Sequence, residues 1–311
     1  MIYDNYGRPL QSLRITVTHR CNFNCIYCHR EGVCFTTIEM RPKEIYMISK
    51  IAVDFGVNKI KLTGGEPLIR EDVTEIVKML ASIKGVKDLA MTTNASLLEE
   101  KASSLARAGL MRINVSLPSI NNKVYSEITG SNTTPQKIIR GIKEARKNGI
   151  EPIKINMVIL RGLNENEVNE MIKLAGKLKV ILQLIELEPV GISYEKFRKL
   201  HVNLDKIENE LKRKALKVTV RRNMQNRRKY VLPGNIEVEV VKPLENGSFC
   251  AACTRMRVTA DGKLKPCLMR NDNLVDMLSK IREGALEDQL KEIFLEAAKR
   301  REPYWKKNAT P

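Results

Sequence analysis

The chain has 311 residues, 43% of them hydrophobic, enough for one large domain or one domain plus a small one. Its 54 basic against 36 acidic residues leave a formal charge of +18, which favours anionic partners such as a nucleoside triphosphate, a nucleic acid or an acidic protein. The apolar runs, such as 180–187, are too short and too interrupted for membrane spans. The opening MIYDNYGRPL lacks a signal-peptide pattern, so a cytoplasmic location is expected, and there seven cysteines point to metal or redox chemistry over structural disulfides.

In chain order, β-rich runs alternate with segments of helical periodicity. The pattern predicts strands over 13–18, 59–63, 88–92, 112–116, 153–159 and 181–186, and helices over 71–83, 97–108, 135–148 and 165–178. Gly109 and Gly149 sit where helices should stop. This alternation implies right-handed βαβ crossovers and a parallel sheet, either an open six-strand barrel or a doubly wound sheet. After about residue 188 the pattern changes. Pro189 and Gly191 break it, and residues 196–230 carry 13 Lys or Arg against Asp205, Glu208 and Glu210. That stretch reads equally as a solvated basic face or a binding surface. Two further strands, 236–241 and 256–259, precede a hairpin turn at Asp261-Gly262, and residues 286–300 read as a final helix.

In parallel α/β folds the active site lies at the C-terminal ends of the strands. There the sequence places Cys21, Cys25 and Cys28 after the first strand, Gly64-Gly65-Glu66-Pro67 after the second and Thr93-Asn94 after the third. Three thiolates in so short a loop can hold three irons of a cubane and leave the fourth open. Zinc is the alternative, with His19, His29 or Cys34 as a fourth ligand. The CxxxCxxC spacing resembles the motif of the radical S-adenosylmethionine (SAM) superfamily, and Gly64-Gly65-Glu66-Pro67 resembles that superfamily's GGEP motif. The resemblance implies a [4Fe–4S] cluster whose open iron binds SAM, and reductive cleavage of SAM to a 5′-deoxyadenosyl radical.

A second triplet, Cys250, Cys253 and Cys267, has Cx2Cx13C spacing, and no histidine follows His201, so a four-ligand zinc site is hard to complete there. A second cubane with an open iron is the better reading. Arg255 and Arg257 lie between its cysteines, and strand alternation points them to one face, with Met256 turned to the core. Two guanidiniums beside such a cluster suit a polyanion; ordinary surface arginines on a β-ribbon are the alternative. Two three-cysteine sites with CTRMR in the second resemble the MoaA family, the GTP 3′,8-cyclases of molybdenum cofactor biosynthesis. Gly7-Arg8-Pro9, Leu13-Arg14, Thr92-Thr93-Asn94 and Arg112-Ile113-Asn114-Val115-Ser116 extend the match over nearly the whole chain.

That resemblance implies an incomplete (β/α)6 radical SAM barrel over 1–225 and a C-terminal α+β domain over 226–311 that carries the second cluster and closes the barrel mouth. It implies hydrogen abstraction from C3′ of GTP, C3′–C8 bond formation and 3′,8-cyclo-7,8-dihydro-GTP as product, with the second cluster anchoring guanine. SAM would be held at Tyr27, Gly64, Gly65, Glu66 and Ser116. GTP would be held at Arg14, Lys61, Thr92, Lys154, Arg255, Met256 and Arg257. No side chain is a catalytic acid or base; Arg255 and Arg257 support the reaction. The partners implied are an external electron donor and the downstream cyclic pyranopterin monophosphate synthase, and a homodimer is compatible.

Four positions depart from the family pattern. Lys61 stands for an arginine, Glu188 for a methionine, and Ser116-Leu117-Pro118-Ser119 for an SLDA run. The chain ends Asn308-Ala309-Thr310-Pro311, without the family's Gly-Gly tail. Two other functions remain open to the residues: a twin-cluster radical enzyme acting on a peptide or RNA, and a non-catalytic zinc or nucleic-acid-binding protein.

Overall fold

The computed structural model describes residues 1–305, so the chain end where the family tail was expected lies outside the described residues. The first two thirds is a run of strand–helix steps. Its elements are β1 (Ser12–Thr16), α1 (Pro42–Asp54), β2 (Lys59–Thr63), α2 (Val73–Ala81), β3 (Asp88–Thr93), α3 (Leu98–Arg107), β4 (Arg112–Ser116), α4 (Asn122–Thr129), α5 (Pro135–Lys147), β5 (Ile153–Ile159), α6 (Val168–Leu178) and β6 (Ile181–Glu186). The six strands pair in parallel in chain order. Residues such as Leu13, Ile15, Ile60, Leu62, Leu89 and Met91 point outward under the helices and are fully buried there. The alternate residues, among them Arg14, Lys61, Thr92, Asn114 and Asn156, face the barrel interior and line one cavity. This is the incomplete six-strand barrel that the sequence implied.

The last third joins the same sheet from both sides. It comprises α7 (Tyr194–Leu200), α8 (Asp205–Lys214), β7 (Lys217–Arg221), β8 (Arg227–Leu232), β9 (Ile236–Val241), α9 (Gly247–Ala251), β10 (Arg255–Val258), β11 (Lys263–Lys265), β12 (Val275–Asp276), α10 (Leu278–Arg282) and α11 (Glu287–Lys299). β9 pairs in parallel with β6, and β10 pairs in parallel with β1. Among the described residues the result is one sheet in the order β12-β11-β10-β1-β2-β3-β4-β5-β6-β9-β8-β7. An incomplete barrel leaves two edges of unpaired backbone groups, and these strands cap both.

The turn at Asp261-Gly262 forms as expected, between β10 and antiparallel β11. Gly262 has φ 72°, and a Cβ there would stand 2.4 Å from that of Leu278, so conformation and packing both demand glycine. The β7–β8 hairpin was not predicted: Val218 and Val220 alternate along β7, but they sit in a basic, largely exposed stretch, and β8 carries no alternation. Residue 225, where the expected domain boundary falls, lies in the turn of that hairpin.

The two ends of the described chain meet beside the second cysteine triplet. Arg8 Nε donates to Asp4 Oδ2 at 2.8 Å, and Arg301 Nη1 lies 3.3 Å from the same oxygen. The two guanidiniums then reach the triplet, Arg8 donating to the Cys250 carbonyl at 3.0 Å and Arg301 to the Cys253 carbonyl at 2.6 Å. All three charged side chains are buried, Arg301 to 1% exposure. Breaking a buried ion pair leaves an uncompensated charge. Replacing Arg301 with methionine is therefore expected to lower unfolding stability by about 3 kcal/mol. Arg300→Ala removes only exposed contacts, the pair with Glu296 and a 3.4 Å hydrogen bond to the Leu274 carbonyl, and is expected to cost about 1 kcal/mol or less. Denaturant midpoints of the two variants test the contrast.

Candidate active site

The first cysteine loop leaves β1 and is held from three sides. The Gly65 and Glu66 amides donate to the Thr18 and Arg20 carbonyls at 2.8 and 2.9 Å. A Cβ on Gly65 would lie 2.1 Å from the Arg20 carbonyl oxygen, so the second glycine of the GGEP run is there to let two loops touch. On another side, Asn94 Nδ2 donates to Asn22 Oδ1 at 2.9 Å, and Asn22 Nδ2 donates to Ser96 Oγ at 2.9 Å. On the third, the Asn24 and Ile26 amides pair with the Thr129 and Ile128 carbonyls at the end of α4.

All three thiols of this loop are free and line one cavity of about 710 Å³. The donor set suits an iron–sulfur group on chemical grounds. Burial and the neighbouring Cys28 and Cys21 push the Cys25 thiol up to about 12. Three crowded thiolates are stable only beside a compensating positive centre, which iron provides. Among the described residues no three Cys, His, Asp or Glu side chains close on a single metal ion.

The second triplet lines the same cavity from the opposite wall. Asn246 caps α9, its Oδ1 accepting from the Phe249 amide at 3.0 Å, and Cys250 lies in that short helix. Burial raises the Cys253 thiol, but Arg255, Arg301 and Arg8 together outweigh it and hold it below its ordinary value. The loop is thus electropositive, as a thiolate-rich group requires.

Between the triplets lies a cationic floor. β10 pairs with β1 so that Arg257 stands beside Arg14, and β2 sets Lys61 on the other side of Arg14. Glu31 reaches back from the cysteine loop and bridges two of these groups. Its Oε1 takes Arg14 Nη2 at 2.9 Å and Thr63 Oγ1 at 3.0 Å, and its Oε2 takes Arg257 Nη1 at 2.8 Å. Burial alone would raise the Glu31 carboxyl, but Arg14, His29 and Arg257 hold it well below the usual carboxylate range. To reach this position the chain turns through left-handed Arg30 and Glu31, at φ 47° and 51°. Such conformations are rare for non-glycine residues. Arg14 Nε is buried without a partner, and Lys61 has no ion pair among the described residues. Burial, with Arg112, Arg14, Arg255 and Arg227 nearby, drives the Lys61 ammonium well below its ordinary value. Such a floor has more positive charge than the protein neutralises, and an anion would relieve it.

The structure brings most of the residues singled out from sequence to this cavity. Both triplets line it, as do Tyr27, Gly64, Gly65, Ser116, Arg14, Lys61, Thr92, Arg255 and Arg257. Three residues expected at the site do not. Glu66 is fully buried behind the wall, accepting from the Leu68 amide at 3.0 Å, the Thr93 hydroxyl at 2.5 Å and the Asn94 amide at 2.6 Å. In that position it orders the β3 end. Lys154 is spent on Glu239, 2.7 Å away and fully buried, which Gln183 also contacts. Met256 packs in the core, because alternation along β10 turns it opposite to Arg255 and Arg257. Cys34 is exposed and does not line the cavity, while Glu188 does. Sequence reasoning passed over Glu31, Asp4 and Arg301. Their roles depend on loops folding back over long separations, and no periodicity signals that.

Comparison with known proteins places this geometry. The model of the radical SAM superfamily matches residues 15–175, and that described as Molybdenum Cofactor Synthesis C matches residues 180–307. A "Probable GTP 3′,8-cyclase" of Thermococcus kodakarensis is 47% identical over 98% of this chain and 100% of its own. One of the same name from Methanothermobacter marburgensis is 47% identical over 98% and 99%. Among solved structures, Streptococcus suis SuiB bound to its precursor peptide SuiA overlays with a TM-score of 0.63 at 20% identity. That overlay covers 84% of this chain and 60% of SuiB, a likeness of fold. Among the described residues no helix is long and apolar enough to cross a membrane. The chain belongs to the radical SAM superfamily and, within it, to the family of the GTP 3′,8-cyclases.

Proposed function

We propose that the protein converts GTP to 3′,8-cyclo-7,8-dihydro-GTP, the first step of molybdenum cofactor biosynthesis. In this reading Cys21, Cys25 and Cys28 carry the [4Fe–4S] cluster that binds SAM, and Cys250, Cys253 and Cys267 carry a second. The observation that carries it is the single cavity faced by both thiol triplets with Arg14, Lys61, Arg255 and Arg257 between them. The first cluster, when bound, supplies the electron that cleaves SAM and so yields the 5′-deoxyadenosyl radical.

The chain's own residues position the substrate. Arg14, Arg255 and Arg257 offer forked donors to phosphate oxygens, and Lys61 offers a point charge where a guanidinium was expected. Thr92 presents a hydroxyl at the end of the barrel, and Tyr27, Gly64, Gly65 and Ser116 form the SAM side of the wall. Holding the ribose of GTP between the two sides is worth more than any acid or base, since the hard step is homolytic. Closure of the barrel mouth by the C-terminal residues, from about 226 onward, keeps water and stray hydrogen donors out. Lys154 enters this reading only if Glu239 releases it. The reading requires an external electron donor, passes its product to a cyclic pyranopterin monophosphate synthase, and suits a cytoplasmic enzyme.

Anaerobic reconstitution is expected to give about eight irons per chain. Incubation with SAM, dithionite and GTP should then yield 5′-deoxyadenosine and the cyclised nucleotide together. Deoxyadenosine without GTP consumption would overturn the cyclase reading. Cys267→Ser should lower iron to about four per chain, retain SAM cleavage and abolish cyclisation. Cys28→Ser should abolish both activities, and chromatography of products from the two variants separates the roles.

A further inference from the structure

The basic stretch 196–230 had no legible role in sequence, and the structure divides it. Three of its cations pair with carboxylates. Arg228 Nη1 lies 3.4 Å from Glu208 Oε1, Lys229 Nζ lies 2.7 Å from Glu237 Oε1, and Arg221 pairs with Glu239. Arg222 is exposed. Arg227 is different: it lines the cavity, together with Gln225 from the turn of the same hairpin.

The turn is built to put them there. Gln225 and Asn226 are both left-handed, at φ 62° and 55°, which folds the tip inward between β7 and β8. Asn226 Nδ2 donates to the Ser248 carbonyl at 3.0 Å and so pins the tip to the helix of Cys250. Gln225, 8% exposed, accepts from Arg255 Nη2 at 3.1 Å. Arg227 Nε donates to the Met224 carbonyl at 2.8 Å, which fixes the root of its guanidinium. Among the described residues no carboxylate lies within ion-pair distance of the rest of that group. Burial pushes Arg227 down to about 10; Glu239 opposes the shift, and Arg221, Arg112 and Arg14 add to it. In turn its charge weighs on Lys61 and Arg255.

A guanidinium with an anchored Nε and a free fork, crowded by like charges over an open cavity, is arranged for a phosphate group. We propose that the β7–β8 hairpin is a substrate-binding element: Arg227 is a fifth cation for the phosphate chain of the nucleotide, and Gln225 holds Arg255 in line with it. The proposal rests on the nucleotide reading of the cavity and adds a residue to it. It also sets one residue of the basic stretch, working inside the cavity, apart from the rest.

Binding of GTP, guanosine and inorganic tripolyphosphate to the reconstituted protein tests this, with Arg227→Ala, Arg227→Lys and Arg222→Ala as variants. Arg227→Ala should weaken GTP and tripolyphosphate by about tenfold or more and leave guanosine unchanged. Arg227→Lys should recover part of the loss, and exposed Arg222→Ala should change nothing. Iron content and a thermal unfolding midpoint equal to the parent would confirm that Arg227→Ala is folded. Equal weakening of guanosine and GTP, or GTP affinity within twofold of the parent, would overturn the proposal. A parent protein that binds tripolyphosphate through Arg227 but shows no preference for GTP would keep the anion site and sink the nucleotide reading. No tripolyphosphate binding by the parent would sink the anion site itself.

Discussion

The site depends on the register of β10 against β1. That pairing sets Arg257 directly beside Arg14, and β2 sets Lys61 on the far side of Arg14. Three cations on adjacent strands repel one another, and the interior of a barrel offers little water to screen them. The protein meets the conflict with a single carboxylate, Glu31, drawn out of the cysteine loop into left-handed backbone to bridge two of the three. One interaction thus joins the first cysteine loop, the start of the barrel and the strand that runs between Cys253 and Cys267 of the second triplet. The charge left over is the attraction on which substrate binding is proposed to rest.

The same register explains why the cavity has two thiol walls. Cys253 lies two residues before β10, so docking that strand in parallel on β1 sets the second triplet beside the N-terminal end of β1, across the cavity from the first. The first triplet already hangs from the C-terminal end of β1. Asp4, Arg8 and Arg301 then lock the second triplet from behind through buried ion pairs and backbone carbonyls. Buried charges of this kind add little net stability, since desolvation offsets attraction. What they specify is a single position for the loop.

Several residues carry family motifs yet act here through packing. Gly65 is required because the Arg20 carbonyl lies against it, and Glu66 is consumed by the Leu68 and Asn94 amides and the Thr93 hydroxyl. A motif of four residues beside a cofactor site can therefore serve mainly to fix the cysteine loop against the ends of β2 and β3. Lys154 shows the converse. Its charge in a β pattern signalled a need for a partner, and the partner is Glu239, eighty-five residues away in sequence.

Sequence alone determined the six strands of the barrel, five helices, the β10–β11 turn, both triplets and most of the cationic floor. These are local facts: strand and helix periods repeat every few residues, and cysteine spacing within a loop is set by the geometry of what the loop can hold. The tertiary structure alone decided that the C-terminal strands complete both edges of the sheet, and that Glu31 faces Arg14 and Arg257. It alone turned Glu66 and Lys154 from the cavity and Arg227 toward it. Each of those outcomes depends on which distant charge or backbone edge is left unpaired once the barrel has formed, and that balance is written in no single stretch of the chain.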